Sequence, residues 1–214
     1  MATKLILIRH GETAWNTRKR YCGFKDVRLS AKGKLQVKLL SERLKAENIN
    51  KVYASDRKRA LETAKIIFRD LKVEKIPDLR EMHFGCFEGL THREIMRKYP
   101  KVYSRWLKGP FDTRIPGGED LAGFRKRVVL AFKKIISLNP HKTIAVVCHG
   151  GTIGIFLAHI LKTRDFWKKV PHAASLSIFE CKNGKVNIKL FNDILHLAPL
   201  RKKIKILTYS AGCR

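Results

Sequence analysis

The chain has 214 residues, 44% of them hydrophobic and 30% charged. That length suits one domain of ordinary-to-large size, 1–214, with a sizeable core, and the composition excludes disorder, collagen and coiled coil. Lys and Arg number 46 against 18 Asp and Glu, for a net charge of +28; 26 basic and 12 acidic residues stand up to residue 107, and 20 and 6 beyond it. So even a spread argues against a basic tail on a neutral domain, and leaves a generally anion-attracting surface or an enzyme for anionic substrates.

The longest apolar runs, such as Ile144 to Cys148, fall far short of the roughly 18 residues that span a bilayer. Met1-Ala2-Thr3-Lys4 leads into the first run without a signal-peptide layout. A soluble cytoplasmic protein with no membrane partner is expected. The five cysteines, Cys22, Cys86, Cys148, Cys181 and Cys213, are odd in number and form no C-x-x-C pair. Free buried thiols are expected rather than a disulfide framework or a structural zinc site.

Leu5-Ile6-Leu7-Ile8 reads as a buried strand that stops at Arg9-His10-Gly11. Ser30 can cap a helix carrying Leu35, Leu39, Leu40 and Leu44. Val52-Tyr53-Ala54 is a short strand ending at Ser55-Asp56; a helix follows with Ala60, Leu61, Ala64, Ile67, Phe68 and Leu71 spaced by threes and fours. Residues 77–118 are rich in Pro and Gly and read as an insertion of loops and short helices. A long helix then places Leu121, Phe124, Val128, Phe132 and Ile135 inward. Thr143 to Cys148 is a second buried strand, ending at His149-Gly150-Gly151 before a buried helix. Ser175 to Cys181 and Val186 to Phe191 flank Asn183-Gly184, a two-residue hairpin signal. The basic stretch from Pro199 has no assignment.

Strands alternating with helices imply an α/β fold with a mostly parallel sheet covered on both faces. Ligands of such sheets bind beyond the carboxyl ends of the strands. Three strand ends deliver Arg9-His10, the segment leading to Arg59, and His149 to that edge. Two imidazoles among arginines make an anion pocket, for which a phosphoryl group is the best match to the guanidinium fork. The helix opened by His149-Gly150-Gly151-Thr152 adds N–H groups and a favourable dipole. The rival is a metal site from His10, His149, Glu81 and Cys148, against which Arg9 and Arg59 would repel a divalent cation. Cations nearby keep an imidazole neutral, so its lone pair can attack phosphorus. A leaving alkoxide then needs a proton from a carboxylic acid.

The run Leu5 to Asn16 resembles the signature of the histidine phosphatase superfamily, in its phosphoglycerate mutase-like branch. Ala54 to Ala64 is similar to the second motif and Leu79 to Gly89 to the third. Pro116-Gly117-Gly118-Glu119 and Val147-Cys148-His149-Gly150-Gly151 complete the set, and the likeness covers roughly residues 3–195. It implies a three-layer α/β/α sandwich and a metal-independent phosphomonoesterase with no cofactor, acting on a small anionic phosphomonoester. It also implies roles: His10 as the nucleophile that becomes phosphohistidine; Arg9, Arg59 and His149 holding the phosphoryl group with Asn16 and Gly150; Glu81 as proton donor. Arg57 departs from the apolar residue usual there, and Phe87 stands for a commoner tryptophan.

Several readings stay open. Glu88 competes with Glu81 for the acid role. His83 and His92 are candidates to line the substrate pocket, whereas Arg57 and Lys58 read as surface charges. The sequence Phe84-Gly85-Cys86-Phe87-Glu88-Gly89 resembles phosphatases more than mutases, nearest alpha-ribazole phosphatases. Phosphoserine phosphatase, broad-specificity phosphatase and phosphoglycerate mutase are the alternatives within this chemistry. A nucleic-acid-binding protein on a phosphatase fold is the alternative outside it, argued from charge alone.

Overall fold

The computed structural model describes residues 2–182 and 184–200. Six strands form one sheet: β1 (Thr3–Arg9), β2 (Lys51–Ala54), β3 (Val73–Lys75), β4 (Thr143–Cys148), β5 (Leu176–Lys182) and β6 (Lys185–Asp193). Their order is β3-β2-β4-β1-β5-β6. The β1–β4, β2–β4 and β2–β3 pairs are parallel; β5 runs antiparallel to β1, and β6 to β5. The expected mostly parallel sheet is present, with an antiparallel hairpin on one side. Lys182 pairs with Lys185 across that hairpin turn, and Gly184 takes a φ of 72° there. Asn183, the other half of the turn signal, lies outside the described residues, as do residues 201–214 of the basic stretch.

The side chains of β1 alternate between two cores. Leu5 and Leu7 pack with α6 (Leu121–Ser137) and α7 (Gly150–Ile160) through residues such as Phe124, Phe132 and Phe156. Ile6 and Ile8 pack with α2 (Ala31–Leu44) and α3 (Lys58–Ile67) through Leu40, Ala60 and Ala64. Helices therefore cover both faces, which is the α/β/α sandwich. All four β1 residues are fully buried, each contributing about 1.5–3 kcal/mol of transfer free energy.

Ser30 caps α2 as expected, accepting from the Gly33 N–H. The buried stripe of that helix is Val37, Leu40, Leu44 and the polar Gln36, whereas Leu35 is exposed. Gln36 earns its inward place by accepting the Glu12 N–H at 3.0 Å. The short strand β3 went unread in the sequence because Val73-Glu74-Lys75 carries too few apolar residues to register.

Residues 77–118 contain 3-10 turns at Pro77–Leu79 and Gly85–Phe87, then α4 (His92–Lys98) and α5 (Pro100–Lys108). They are anchored by an aromatic cluster. Phe87, Tyr103 and Trp106 are buried, and Tyr103 shares hydrogen bonds of 2.8 Å with Tyr21 and with His92 Nδ1. The remaining helix, α1 (Ala14–Thr17), is a single turn closed by a capping box between Thr13 and Asn16.

Candidate active site

β1 and β4 end side by side, with Arg9 opposite Cys148 in register. The residues that follow, His10 and His149, are therefore neighbours, with ring centroids 5.2 Å apart. The His10 backbone is clamped on both sides: its N–H donates to Cys148 O at 3.0 Å, and its carbonyl accepts from Ala174 N–H at 3.1 Å. Its side chain is only 4% exposed. Nδ1 lies 2.8 Å from Gly11 O. A carbonyl can only accept, so Nδ1 carries the proton and Nε2 keeps its lone pair. Burial first, then the Arg59 and Arg9 charges, hold the imidazole well below its ordinary pKa. It is neutral, with a defined tautomer.

Arg59 stands on the first turn of α3 and is fully buried. Its guanidinium donates to Lys25 O at 2.9 Å, to Gly23 O at 2.7 Å and to His149 Nδ1 at 3.1 Å. Two of those partners are neutral carbonyls from the loop after α1, and none is a carboxylate. Arg9 likewise donates to Pro171 O, and its buried Nε has no partner. Among the described residues neither guanidinium is hydrogen-bonded to a carboxylate, and burial lowers the Arg9 pKa against the opposing pull of Glu81.

His149 is fully buried. It accepts from Arg59 on Nδ1, so its proton is on Nε2, which donates to Ser55 Oγ at 2.8 Å. Both ring nitrogens are engaged within the protein. Burial and the Arg59 charge push its pKa well below the usual value. Ser55, buried just past the end of β2, is a partner that sequence reasoning missed, although it lies within the second motif. Thr63 is another: its hydroxyl donates to Arg59 O at 2.8 Å and accepts the Gly11 N–H at 3.1 Å. It thereby ties α3 to the residue that sets the His10 tautomer.

Glu81 and Glu88 are separated by their surroundings. Glu81 Oε2 accepts the Gly151 N–H at 2.7 Å and Oε1 the Met82 N–H at 3.0 Å. It is buried against the start of α7, and desolvation raises its pKa over the opposing pull of those two N–H bonds. The approach is close enough that a Cβ on Gly151 would lie 2.4 Å from Glu81 Oε1, and one on Gly150 would lie 3.0 Å from Arg9 Cζ. Glu88 instead accepts backbone N–H groups of Phe24, Phe84 and Lys25 at 2.7, 3.3 and 2.9 Å. It fastens the loop that feeds Arg59, and has no partner in the His10 cluster.

Asn16 orients its oxygen to the N–H and hydroxyl of Thr13, at 3.0 and 2.9 Å, which leaves its NH2 group as donor. A cavity of about 410 Å³ beside it also reaches Arg9, Gln36 and His172. His83 is half-buried against the Phe24 ring at 4.7 Å, with Nε2 3.8 Å from Glu88. His92 is taken up by Tyr103 and the aromatic cluster. Lys58 is exposed, as expected. Arg57 is not the free surface charge expected of it: it pairs with Asp56 and donates to Phe24 O at 2.7 Å. Asp56 also pairs with Arg80, while Arg127 pairs with Glu119. Arg57, Arg80 and Arg127 all approach the Phe24 ring within 6 Å. Cys148 is buried with its thiol pKa raised by desolvation. Among the described residues, no group of three or more His, Cys, Asp or Glu side chains is arranged to hold a metal ion, and no helix is long and apolar enough to cross a membrane.

A family model described as the histidine phosphatase superfamily, branch 1, matches residues 5–194. Phosphoglycerate mutase-like protein 4 of Arabidopsis thaliana is 34% identical over 91% of this chain and 86% of its own length. Phosphoserine phosphatase 1 of Hydrogenobacter thermophilus is 33% identical over 91% and 94%. The crystal structure of the alpha-ribazole phosphatase from Shigella flexneri superposes with a TM-score of 0.82 at 28% identity, over 89% of this chain and 96% of that one. This chain belongs to the histidine phosphatase superfamily.

Proposed function

We propose that this histidine phosphatase hydrolyses a small phosphomonoester by way of a phosphohistidine on His10. The observation that carries the reading is the His10 ring itself: neutral, with its tautomer fixed by Gly11 O, and close enough to Arg59 and Arg9 to feel both charges, neither guanidinium being hydrogen-bonded to a carboxylate among the described residues. In the first half-reaction, the Nε2 lone pair forms the N–P bond as the ester P–O bond breaks. Glu81, protonated, gives its proton to the leaving oxygen. Arg9 and Arg59 meet the charge on the non-bridging oxygens, which is the largest contribution expected in phosphoryl transfer. In the second, Glu81 takes a proton from water, the water oxygen bonds to phosphorus, the N–P bond breaks and inorganic phosphate leaves. The acid is reset by that step.

His149 supports this arrangement by holding Arg59 through Nδ1, and a rotation of its ring would bring an N–H donor to the phosphoryl group. Asn16 and Gly150 supply further donors at the rim. His83, on the mouth beside Phe24, is a contact for the rest of the substrate. No metal or organic cofactor enters the scheme. The match over residues 5–194 supports one catalytic domain. The free thiols of Cys22, Cys86, Cys148 and Cys181 fit a reducing compartment such as the cytoplasm.

Alpha-ribazole 5'-phosphate is the first candidate substrate, on the likeness to the Shigella flexneri enzyme; phosphoserine is the second, on the 33% identical relative. The mutase reading draws on the Arabidopsis thaliana relative. A panel of phosphoserine, 3-phosphoglycerate and alpha-ribazole phosphate separates these. Release of inorganic phosphate from at least one ester is expected. Isomerisation of 3-phosphoglycerate without release of phosphate would replace the phosphatase by a mutase.

A further inference from the structure

A cavity of about 1,120 Å³ opens at the opposite end of the sheet from His10. It lies at the amino end of β1, against Thr3, between α6, the last turns of α7 and the β5–β6 hairpin. Six strand residues, Lys4 to Arg9, separate Thr3 on its wall from His10, about 20 Å. A ligand here touches no catalytic group. Its volume is at the upper end of small-molecule sites.

The lining has two parts. Ile136, Phe156, Ile160 and Val186 give an apolar surface, and Phe156 is already stacked on Phe132 at 4.1 Å. Around it stand Arg125, Lys133, Lys162, Arg164, Lys182 and Lys185, with no Asp or Glu among the described residues of the cavity wall. None of these six cations makes an ion pair among the described residues. By contrast, Lys189 and Lys4 close by each have a carboxylate partner, Glu180 and Glu47. Burial first, and then the Arg125 and Lys133 charges, lower the pKa of His159 on the same wall. Six like charges around one apolar concavity repel one another, and an anion relieves that repulsion.

We propose that this cavity binds a free single-chain amphipathic anion: an alkyl chain on the apolar floor with a carboxylate head among the cations. A nucleic acid fits less well, because the described wall offers no exposed Phe, Tyr or Trp ring on which bases can stack, and Phe156 is buried against Phe132. A bilayer fits less well, because the apolar residues are recessed below the cations, whereas membrane docking needs them to protrude. The chain's own stretch 201–214 carries five Lys and Arg and no acidic residue, so its charge has the same sign as the rim.

The test is calorimetric titration of the whole protein with octanoate, decanoate and dodecanoate below their micellar concentrations. Dodecyltrimethylammonium, an acidic peptide and vesicles of anionic phospholipid are run beside them. One saturable site for dodecanoate is expected, tightening up to about fourfold per added buried methylene, with no binding of the cationic amphiphile. Lys133→Glu with Lys185→Glu should weaken dodecanoate at least tenfold. Lys38→Glu with Lys45→Glu, which removes the same charge from α2 and the residue that ends it, should leave it within twofold. Circular dichroism of each variant shows that it is folded, and Ile160→Gln gives a second route that changes no charge and should flatten the chain-length dependence. Lack of a saturable site overturns the proposal. So do equal binding of the cationic amphiphile, equal loss in both charge-reversal pairs, and capture of peptide or vesicles without dodecanoate.

Discussion

Arginines near the carboxyl end of the sheet fall into two rings that differ in what holds them. In the inner ring, Arg59 and Arg9 are fixed by backbone carbonyls of Gly23, Lys25 and Pro171. In the outer ring, Arg57, Arg80 and Arg127 pair with the carboxylates of Asp56 and Glu119, Arg57 and Arg127 donating to backbone carbonyls as well. Carbonyl dipoles orient a guanidinium without cancelling its charge. Carboxylates orient it and cancel the charge as well. The inner ring is therefore positioned and still cationic, which is what a phosphoryl group requires, while the outer ring is positioned with two of its three charges balanced, Asp56 being shared by Arg57 and Arg80. The two carboxyl groups divide in the same way: Glu81, desolvated beside the inner ring, has its pKa raised, while Glu88 is spent on backbone N–H groups of the loop.

The largest effect that sharpens this contrast is at Glu81. Glu81→Gln should lower kcat on an alkyl phosphate by about 10²–10⁴-fold, the usual worth of a general acid, and by under about tenfold on nitrophenyl phosphate, whose leaving group needs little protonation. The pH profile gives its own signature. Catalysis needs neutral His10 and protonated Glu81. The acid limb of kcat/KM should lie below pH 6.5, because the His10 pKa is lowered, and the alkaline limb above pH 4.5, because the Glu81 pKa is raised. Glu81→Gln should remove the alkaline limb. Equal loss on both substrates with an unchanged profile would take Glu81 out of the acid role.

Next come the arginines. Arg59→Ala should cost about 10²–10³-fold in kcat, as removal of a preorganised transition-state donor does elsewhere. Arg59→Lys should not restore it, since a compact ammonium lacks the planar fork that spans both carbonyls and the imidazole and still has donors left for a phosphoryl oxygen. Arg80→Ala should cost less than about tenfold on the same scale. Similar losses at Arg59 and Arg80 would erase the distinction between the rings.

Smaller still is Thr63→Val, which leaves the Gly11 N–H and Arg59 O without their shared partner. A loss of about 1–3 kcal/mol in unfolding free energy is expected, read by urea denaturation, with kcat falling more than KM changes. The smallest effect concerns Asp56, whose carboxyl is held far below the usual range, first by Arg80 and then, against some desolvation, by Arg57. A lowered carboxylate pKa stabilises the fold above the unfolded pKa of about 4 and loses that contribution as the pH drops below it. Asp56→Asn should flatten the acid limb of stability against pH while leaving the pH dependence of kcat in place.

How much of this was legible in the sequence depends on distance along the chain. β1, β4 and the helices after them declare themselves by apolar runs and threes-and-fours spacing, so the sheet and its rich edge at Arg9-His10 and His149 could be placed. The motifs named Arg59 and Glu81. The choice between Glu81 and Glu88 could not be made from spacing, because both lie in one turn-rich segment. It rests on Gly151 and the loop amides, contacts that span about 70 residues. Arg57 read as surface because a charged residue ahead of a helix normally is; Asp56 and Phe24 O draw it in. Ser55 and Thr63 carried no signal of their own, since a hydroxyl beside a strand or in a helix is common. Their roles exist only once β2, α3 and β4 are brought together.

The central claim is that a neutral imidazole at position 10 presents Nε2 to phosphorus. It is tested most directly by quenching the enzyme during turnover, digesting it, and locating the phosphate on the labelled peptide by mass spectrometry and phosphorus NMR. Acid-labile phosphate on Nε2 of His10, absent from His10→Ala, is the predicted result. Phosphate on Nδ1, on His149 or on a hydroxyl, or labelling that persists in His10→Ala, would contradict it.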